Sequence, residues 1–250
     1  MAEPKRLLIL GGTGEATALA ARCAEISGLE VVTSLAGRTS RPEIPKGSVR
    51  IGGFGGVEGL AAYLKAAEID MVVDATHPFA ARISRHAAEA AAAAGRPCLM
   101  LVREPWQQRD GDRWIDVKDA HHAAAALANL GGRVFLTVGR QELGCFAGMH
   151  RTWFLVRLIE RPTTGLPLAQ CEVIAGRGPF TAEAERSLMA QHRIETLVSK
   201  NSGGDSTYAK IAAARELGIA VVMIRRPALP TAERVAHVEA TFDWVMRQLP

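Results

Sequence analysis

Short, near-continuous apolar runs alternate with Ala-rich amphipathic segments along the whole chain, and this alternation constrains the fold more than any other feature. It excludes an all-α or all-β protein and points to repeated strand-helix-strand units. Runs such as Leu7-Leu8-Ile9-Leu10 and Met71-Val72-Val73 have no polar face, so they are expected to be buried on both sides in parallel sheets covered by helices. Strands are expected at Arg6 to Leu10, Glu30 to Leu35, Val49 to Ile51, Met71 to Ala75 and Cys98 to Val102. Helices at about Glu15 to Ser27, Val57 to Ala67 and Phe79 to Ala94 fill the gaps.

The segment from Arg103 to Lys118 changes character, with Pro105, Trp106 and the run Asp110-Gly111-Asp112. Beyond it the alternation resumes. Strands are expected at Arg133 to Thr137, Trp153 to Leu158, Glu172 to Ala175, Thr196 to Ser199 and Ala220 to Ile224. Helices are expected near Ala120 to Leu130, Thr181 to His192, Ser206 to Leu217 and Val238 to Leu249. At roughly 150 residues per domain, a chain of this length holds one large domain or two modest ones. The expectation is an α/β protein of two doubly wound domains with mainly parallel sheets and a cleft between them: residues 1–105, a crossing segment 106–118, and residues 119–250.

The hydrophobic fraction of 48% with 22% charged residues excludes a mainly disordered chain. The formal charge is +4, and residues 1–125 are balanced at 15 basic and 15 acidic side chains, so the excess lies in the second half. Basic residues form pairs such as Lys5-Arg6 and Arg225-Arg226 rather than tails, and aromatics are only 5%, which argues against a nucleic-acid-binding protein. Cys23, Cys98, Cys145 and Cys171 are far apart with no C-x-x-C, so no metal site is expected and the thiols read as buried cytosolic cysteines. The first apolar run meets Gly11-Gly12 after four residues, and the Ala-rich stretch around Ala87 is bracketed by charges. No leader or membrane span is therefore expected, and the location expected is cytoplasmic.

Leu7 to Leu10 lead directly into Gly11-Gly12-Thr13-Gly14-Glu15-Ala16, a Gly-rich turn between a strand and a helix. Such a turn lets backbone N–H groups approach a pyrophosphate at a helix N-terminus, although Thr17 stands where the dinucleotide fingerprint has Gly or Ala. The second strand ends in Ser34-Leu35-Ala36-Gly37-Arg38-Thr39-Ser40-Arg41, with no acid to accept ribose hydroxyls. Ser34, Arg38 and Arg41 suit a 2′-phosphate, favouring NADP over NAD, and a solvated basic loop is the plainer reading. Asp74-Ala75-Thr76-His77-Pro78-Phe79-Ala80 follows another strand; Thr76 and His77 are expected to donate to a cofactor, or else to cap the next helix behind Pro78. Gly53, within Gly52-Gly53-Phe54-Gly55-Gly56, marks either a close backbone approach or a flexible turn.

In the second half, Thr137-Val138-Gly139-Arg140, Gly176-Arg177-Gly178-Pro179-Phe180-Thr181 and Ser199-Lys200-Asn201-Ser202-Gly203-Gly204 each follow a strand. Any one of them reads as a capping loop; three on a basic half point to an anionic substrate with several carboxylates or phosphates. The short-chain dehydrogenase pair Tyr-x-x-x-Lys is missing, because Ala follows Tyr63 and Tyr208 at the fourth position. No G-x-S-x-G elbow, Walker A lysine or H-E-x-x-H helix occurs.

Together the Leu8 to Ala16 turn, the Ser34 to Arg38 turn, D-A-T-H-P-F-A at Asp74 to Ala80, Gly178-Pro179-Phe180 and K-N-S-G-G at Lys200 to Gly204 resemble the precorrin-6A reductase family of cobalamin biosynthesis, over nearly the whole chain. The resemblance implies two Rossmann-like domains and NADPH-dependent reduction of one ring double bond of precorrin-6A, giving precorrin-6B. It implies that Gly12, Thr13, Gly14, Ser34, Arg38, Thr76 and His77 hold the cofactor, with Lys200, Asn201, Ser202 and Gly203 facing it or the substrate; the same loops add Gly11, Glu15, Gly37, Gly53 and Pro78 to the expected cofactor side and Gly139 and Arg140 to the expected substrate side. His77 and Lys200 are the candidate proton donors beside water. The partner implied is an anionic tetrapyrrole, metal-free or cobalt-containing, with transient contacts to neighbouring pathway enzymes. A non-catalytic NADP-binding regulatory module and a reductase of another polyanion are the alternatives.

Overall fold

The computed structural model describes residues 3–37, 44–130 and 132–250. In chain order the elements are β1 (Lys5–Leu10), α1 (Gly14–Cys23), β2 (Leu29–Leu35), β3 (Ser48–Ile51), α2 (Val57–Ala66), β4 (Met71–Asp74), α3 (Ala81–Ala94) and β5 (Cys98–Leu101). Then come β6 (Arg113–Val117), α4 (Ala120–Leu127), β7 (Arg133–Thr137), a 3₁₀ helix (Arg140–Phe146), β8 (Trp153–Leu158), β9 (Cys171–Ala175), α5 (Ala182–Gln191), β10 (Thr196–Lys200), α6 (Ala209–Glu216) and β11 (Ala220–Ile224). The chain ends with β12 (Glu233–Val235) and α7 (Val238–Arg247). Two six-stranded sheets result, ordered β12-β5-β4-β1-β2-β3 and β6-β11-β10-β7-β8-β9, and every strand pairing in both is parallel.

The continuous apolar strands behave as their composition requires. Leu7 and Ile9 of β1 join one core with Leu19 of α1 and Trp244 of α7, while Leu8 and Leu10 join another with Leu60 of α2 and Ala87 of α3. Alternate side chains thus enter opposite layers, which fixes a sheet covered on both faces. The second sheet puts Phe135, Leu155, Leu197 and Val221 into a core with Ile211 of α6 and Met189 of α5. Helix starts follow their caps: Thr13, Asp119 and Thr181 each accept a backbone N–H of the first turn.

The chain folds as two compact units, Met1–Glu104 with Pro227–Pro250, and Pro105–Arg226. This corrects the expected boundaries in two places. The segment 106–118 is no bare crossing, because β6 pairs with β11 at the edge of the second sheet. Residues 227–250 do not belong with 119–226: β12 pairs with β5, α7 packs on α1, and Trp244 Nε1 donates to Glu233 at 3.2 Å. The reason is topological. Both sheets run third, second, first, fourth, fifth, and each fills its sixth place with a strand from outside that run, β12 in one and β6 in the other. The units also divide the charge cleanly: the first carries 14 basic and 14 acidic residues, the second 16 and 12, so the whole excess lies in the second.

Candidate functional site

Strand order reverses beside the first strand of each sheet, between β1 and β4 and between β7 and β10, and an open parallel sheet offers its ligand crevice at the carboxyl end of such a switch. The Gly-rich turn and the 74–80 segment flank the first switch; the 137–140 and 200–204 loops flank the second.

At the first switch Thr13 does two jobs. Its Oγ1 accepts the Ala16 amide at 3.1 Å, capping α1, and donates to the Ala75 carbonyl at 2.7 Å, tying the turn to the end of β4. Gly12 has φ +108°, which a side chain rarely adopts, and a Cβ on Gly11 would stand 2.8 Å from Thr33 Cγ2 on β2. Close packing of helix on sheet is achieved at Gly11 and Ala16, so Thr17 at the position usually small in this motif is tolerated; its hydroxyl lies 3.4 Å from the Thr13 carbonyl. The Glu15 carboxylate, awkward beside an anion, is neutralised by Arg103 at 2.8 Å. Gly14 opens the helix, and the turn therefore fits a pyrophosphate held by backbone N–H groups.

Across the switch, buried Asp74 organises the next segment: its Oδ1 accepts the Thr76 amide at 3.0 Å and the Thr76 hydroxyl at 2.6 Å. The Thr76 hydroxyl hydrogen is thereby directed at Asp74, and its oxygen lies 3.5 Å from the Ser84 hydroxyl. His77 Nδ1 accepts the Phe79 amide at 3.2 Å, which leaves Nε2 as the protonated nitrogen of the neutral ring. Pro78 lies in this turn, two residues before the Ala80 cap of α3, so the helix starts later than its sequence suggests.

Ser34, next to last in β2, is nearly buried and level with Leu10 of β1 on one side and Arg50 of β3 on the other. Arg50, which the sequence reading did not single out, lies with its guanidinium 3.8 Å from the Phe54 ring centre and donates to the Gly52 and Gly53 carbonyls at 2.6 and 2.8 Å. Gly37 takes φ +69° against Ile51. Arg38 and Arg41, expected at a 2′-phosphate, lie outside the described residues.

The second switch is bridged by charge. Lys200 Nζ meets Glu142 Oε2 at 2.5 Å, and that oxygen accepts the Gly139 amide at 2.9 Å. Arg140 donates to the Thr164 hydroxyl at 2.8 Å from an exposed position. Gly203 takes φ +67°, and Ser202 is almost buried with its amide on the Lys200 carbonyl. Asn201 spends its side chain within the protein: Oδ1 accepts the Trp106 amide at 2.8 Å and Nδ2 donates to the Trp106 carbonyl at 3.0 Å. Arg226 holds the Asn201 carbonyl at 2.9 Å, so Asn201 braces the first and last stretches of the second unit. The Gly178 loop reaches the same edge, where a Cβ on Gly178 would stand 2.6 Å from the Ser206 carbonyl. Among the described residues, no three His, Cys, Asp or Glu side chains converge as metal ligands, and no helix is long and apolar enough to cross a membrane.

Fold and site together define a two-domain, doubly wound α/β protein with a nucleotide-type turn in its first unit and a cationic switch point in its second. The profile described as precorrin-6x reductase CbiJ/CobK matches residues 6–246, and the chain belongs to that family. It is 52% identical to a precorrin-6A reductase of Rhodococcus erythropolis over 96% of this chain and 97% of that one. It is 43% identical to the precorrin-6A reductase of Rhodobacter capsulatus, covering 96% and 95%, and 30% identical to a cobalt-precorrin-6A reductase of Priestia megaterium, covering 97% of each. Among solved structures it superposes on a CobK precorrin-6A reductase with a TM-score of 0.93 at 42% identity, covering 98% of this chain and 97% of that one.

Proposed function

We propose that this protein catalyses the NADPH-dependent reduction of one ring double bond of precorrin-6A to precorrin-6B in cobalamin biosynthesis. The observation that carries the reading is the pair of switch points: one built from backbone amides behind Thr13 in a unit of zero net charge, the other around Lys200 in the unit that holds the whole positive excess. The first suits a dinucleotide and the second a macrocycle bearing several carboxylates.

In this reading Gly11, Gly12, Thr13 and Gly14 hold the pyrophosphate, with Glu15 neutralised by Arg103. Ser34, Gly37 and Gly53 line the adenosine end, to which Arg38 is assigned by its place in the sequence, and Thr76, His77 and Pro78 lie toward the nicotinamide. Bound nicotinamide supplies the hydride, so the chain itself has to bind, orient and exclude water. Gly139, Arg140, Lys200, Ser202 and Gly203 receive substrate carboxylates, and Asn201 keeps their loop in place. Reduction of the double bond also consumes one proton, drawn from water, from Lys200 or from His77 Nε2. The metal-free macrocycle is the substrate of choice, because the relatives at 43% to 52% identity are named for it and those at 26% to 30% for the cobalt form.

The test is NADPH oxidation followed spectroscopically with isolated precorrin-6A and with its cobalt counterpart. Turnover with the first, and little with the second, is expected. Binding of NADPH without oxidation in the presence of either macrocycle would instead identify a regulatory nucleotide-binding module.

A further inference from the structure

We propose that Arg50, at the end of β3, reads the 2′-phosphate of the cofactor and sets the preference for NADPH over NADH. The inference deepens the function proposed above and rests on its choice of a nicotinamide dinucleotide. Leu10, Ser34 and Arg50 are register partners across β1, β2 and β3, so they form one row at the carboxyl edge of the sheet. At the usual strand spacing of about 4.8 Å, Arg50 stands roughly 10 Å from the end of β1, on the side of the sheet edge where a doubly wound fold places the adenosine ribose. The end of β2 carries no carboxylate to bind a ribose diol, and its last polar group, the Ser34 hydroxyl, lies 3.5 Å from Arg50 Nη1.

The charge on Arg50 has no carboxylate partner among the described residues. Its three hydrogen-bond acceptors are the Ser34 hydroxyl and the carbonyls of Gly52 and Gly53, which account for only three of the five N–H donors of a guanidinium. The contrast with Arg103, paired to Glu15, is direct. The Phe54 ring at 3.8 Å and the Tyr63 ring at 5.2 Å hold the group in place, and the two carbonyls fix its plane. A planar cation immobilised in this way has little rotamer freedom to lose when it meets a phosphate.

The experiment measures dissociation constants of NADPH, NADH, 2′,5′-ADP and 5′-AMP for the wild-type protein, Arg50→Ala and Arg50→Lys, with circular dichroism as the check on folding. Arg50→Ala is expected to weaken NADPH and 2′,5′-ADP roughly ten- to hundredfold, as loss of a charge-assisted contact does, and to leave NADH and 5′-AMP within about threefold. Arg50→Lys should recover part of the loss. An equal fall for the phosphorylated and unphosphorylated ligands would reduce Arg50 to a brace of the Gly52 to Gly56 turn and overturn the inference, while the NADPH assignment stood. Equal wild-type affinity for NADPH and NADH would overturn both.

Discussion

Lys200 and Glu142 face each other across the β7/β10 switch with Nζ and Oε2 2.5 Å apart, and the same carboxylate oxygen takes the Gly139 amide. The chain's own carboxylate thus occupies the two donors that the proposed function assigns to a substrate carboxylate. Lys200→Ala removes the cation and leaves Glu142 without its ion-pair partner. Its kcat/KM for the macrocycle should fall about ten- to hundredfold, with NADPH affinity unchanged, since one charge-assisted contact contributes about 1.5–3 kcal/mol. Steady-state kinetics beside a cofactor titration read both; an unaltered kcat/KM would remove Lys200 from the substrate side.

Asn201 has a different consequence, because its amide is used twice on the Trp106 backbone. Asn201→Ala leaves the Trp106 N–H and carbonyl without those partners, at a cost of about 1–3 kcal/mol for each group kept from water. The expected outcome is a lower denaturation midpoint for the unit Pro105–Arg226. Asn201→Asp should be as damaging, since it retains an acceptor for the amide but sets a carboxylate against the carbonyl. Chemical denaturation followed by tryptophan fluorescence, to which Trp106, Trp114 and Trp153 of that unit contribute, checks it; undiminished stability with a raised KM would return Asn201 to direct substrate contact.

Strands were legible from composition because burial on both faces keeps them largely apolar, with Arg157 inside β8 the exception and paired to Glu185: Arg133 to Thr137, Trp153 to Leu158 and Ala220 to Ile224 match to the residue. β6 and β12 were not. Arg113–Val117 mixes charged Arg113 and Asp116 with apolar neighbours and has no side-chain period, as suits an exposed edge strand, and Glu233–Val235 is too short to show any period. With β12 unseen, nothing in the order of elements could reveal that the last helix returns to the first unit. At the site, the Gly-rich turn announced itself through its spacing. Arg50 did not, because the role proposed for it depends on β3 pairing with β2 in the register that sets it beside Ser34, a relation between segments rather than within one. Asn201 was visible as a polar residue in a loop, but which partner it took was fixed only by the path of the chain at Trp106.

All four thiols are pushed up rather than down. Burial lifts Cys98 to about 12, helped by the nearby Asp74 charge, and burial lifts Cys23 to about 11; Cys145 and Cys171 are raised as well, first by desolvation. The thiolate is the reactive form, so at pH 8 alkylation of Cys23 and Cys98 in the folded protein should be roughly a hundredfold or more slower than for an ordinary thiol. Mass spectrometry after timed iodoacetamide treatment should find Cys145 or Cys171 modified first, and rapid labelling at all four only in denaturant. Fast modification of Cys98 in the native protein would contradict its burial.

The cap of α4 carries a pH dependence whose sign can be worked out. Asp119 accepts the His122 amide at 3.0 Å and lies 2.8 Å from His122 Nδ1, and the side-chain bond to His122, followed by the backbone bond, draws its carboxyl down to about 2. A carboxyl held lower in the folded protein than in the unfolded chain favours folding once pH exceeds the ordinary carboxylate value of about 4. That contribution fades as pH falls from about 4 through about 2. Carbon NMR of the Asp119 carboxyl should titrate near 2 in the native protein, and Asp119→Asn should lose this acid-range dependence while the amide oxygen still caps the helix. A native titration near the ordinary value of about 4 would mean that the His122 ring does not hold the carboxylate in solution.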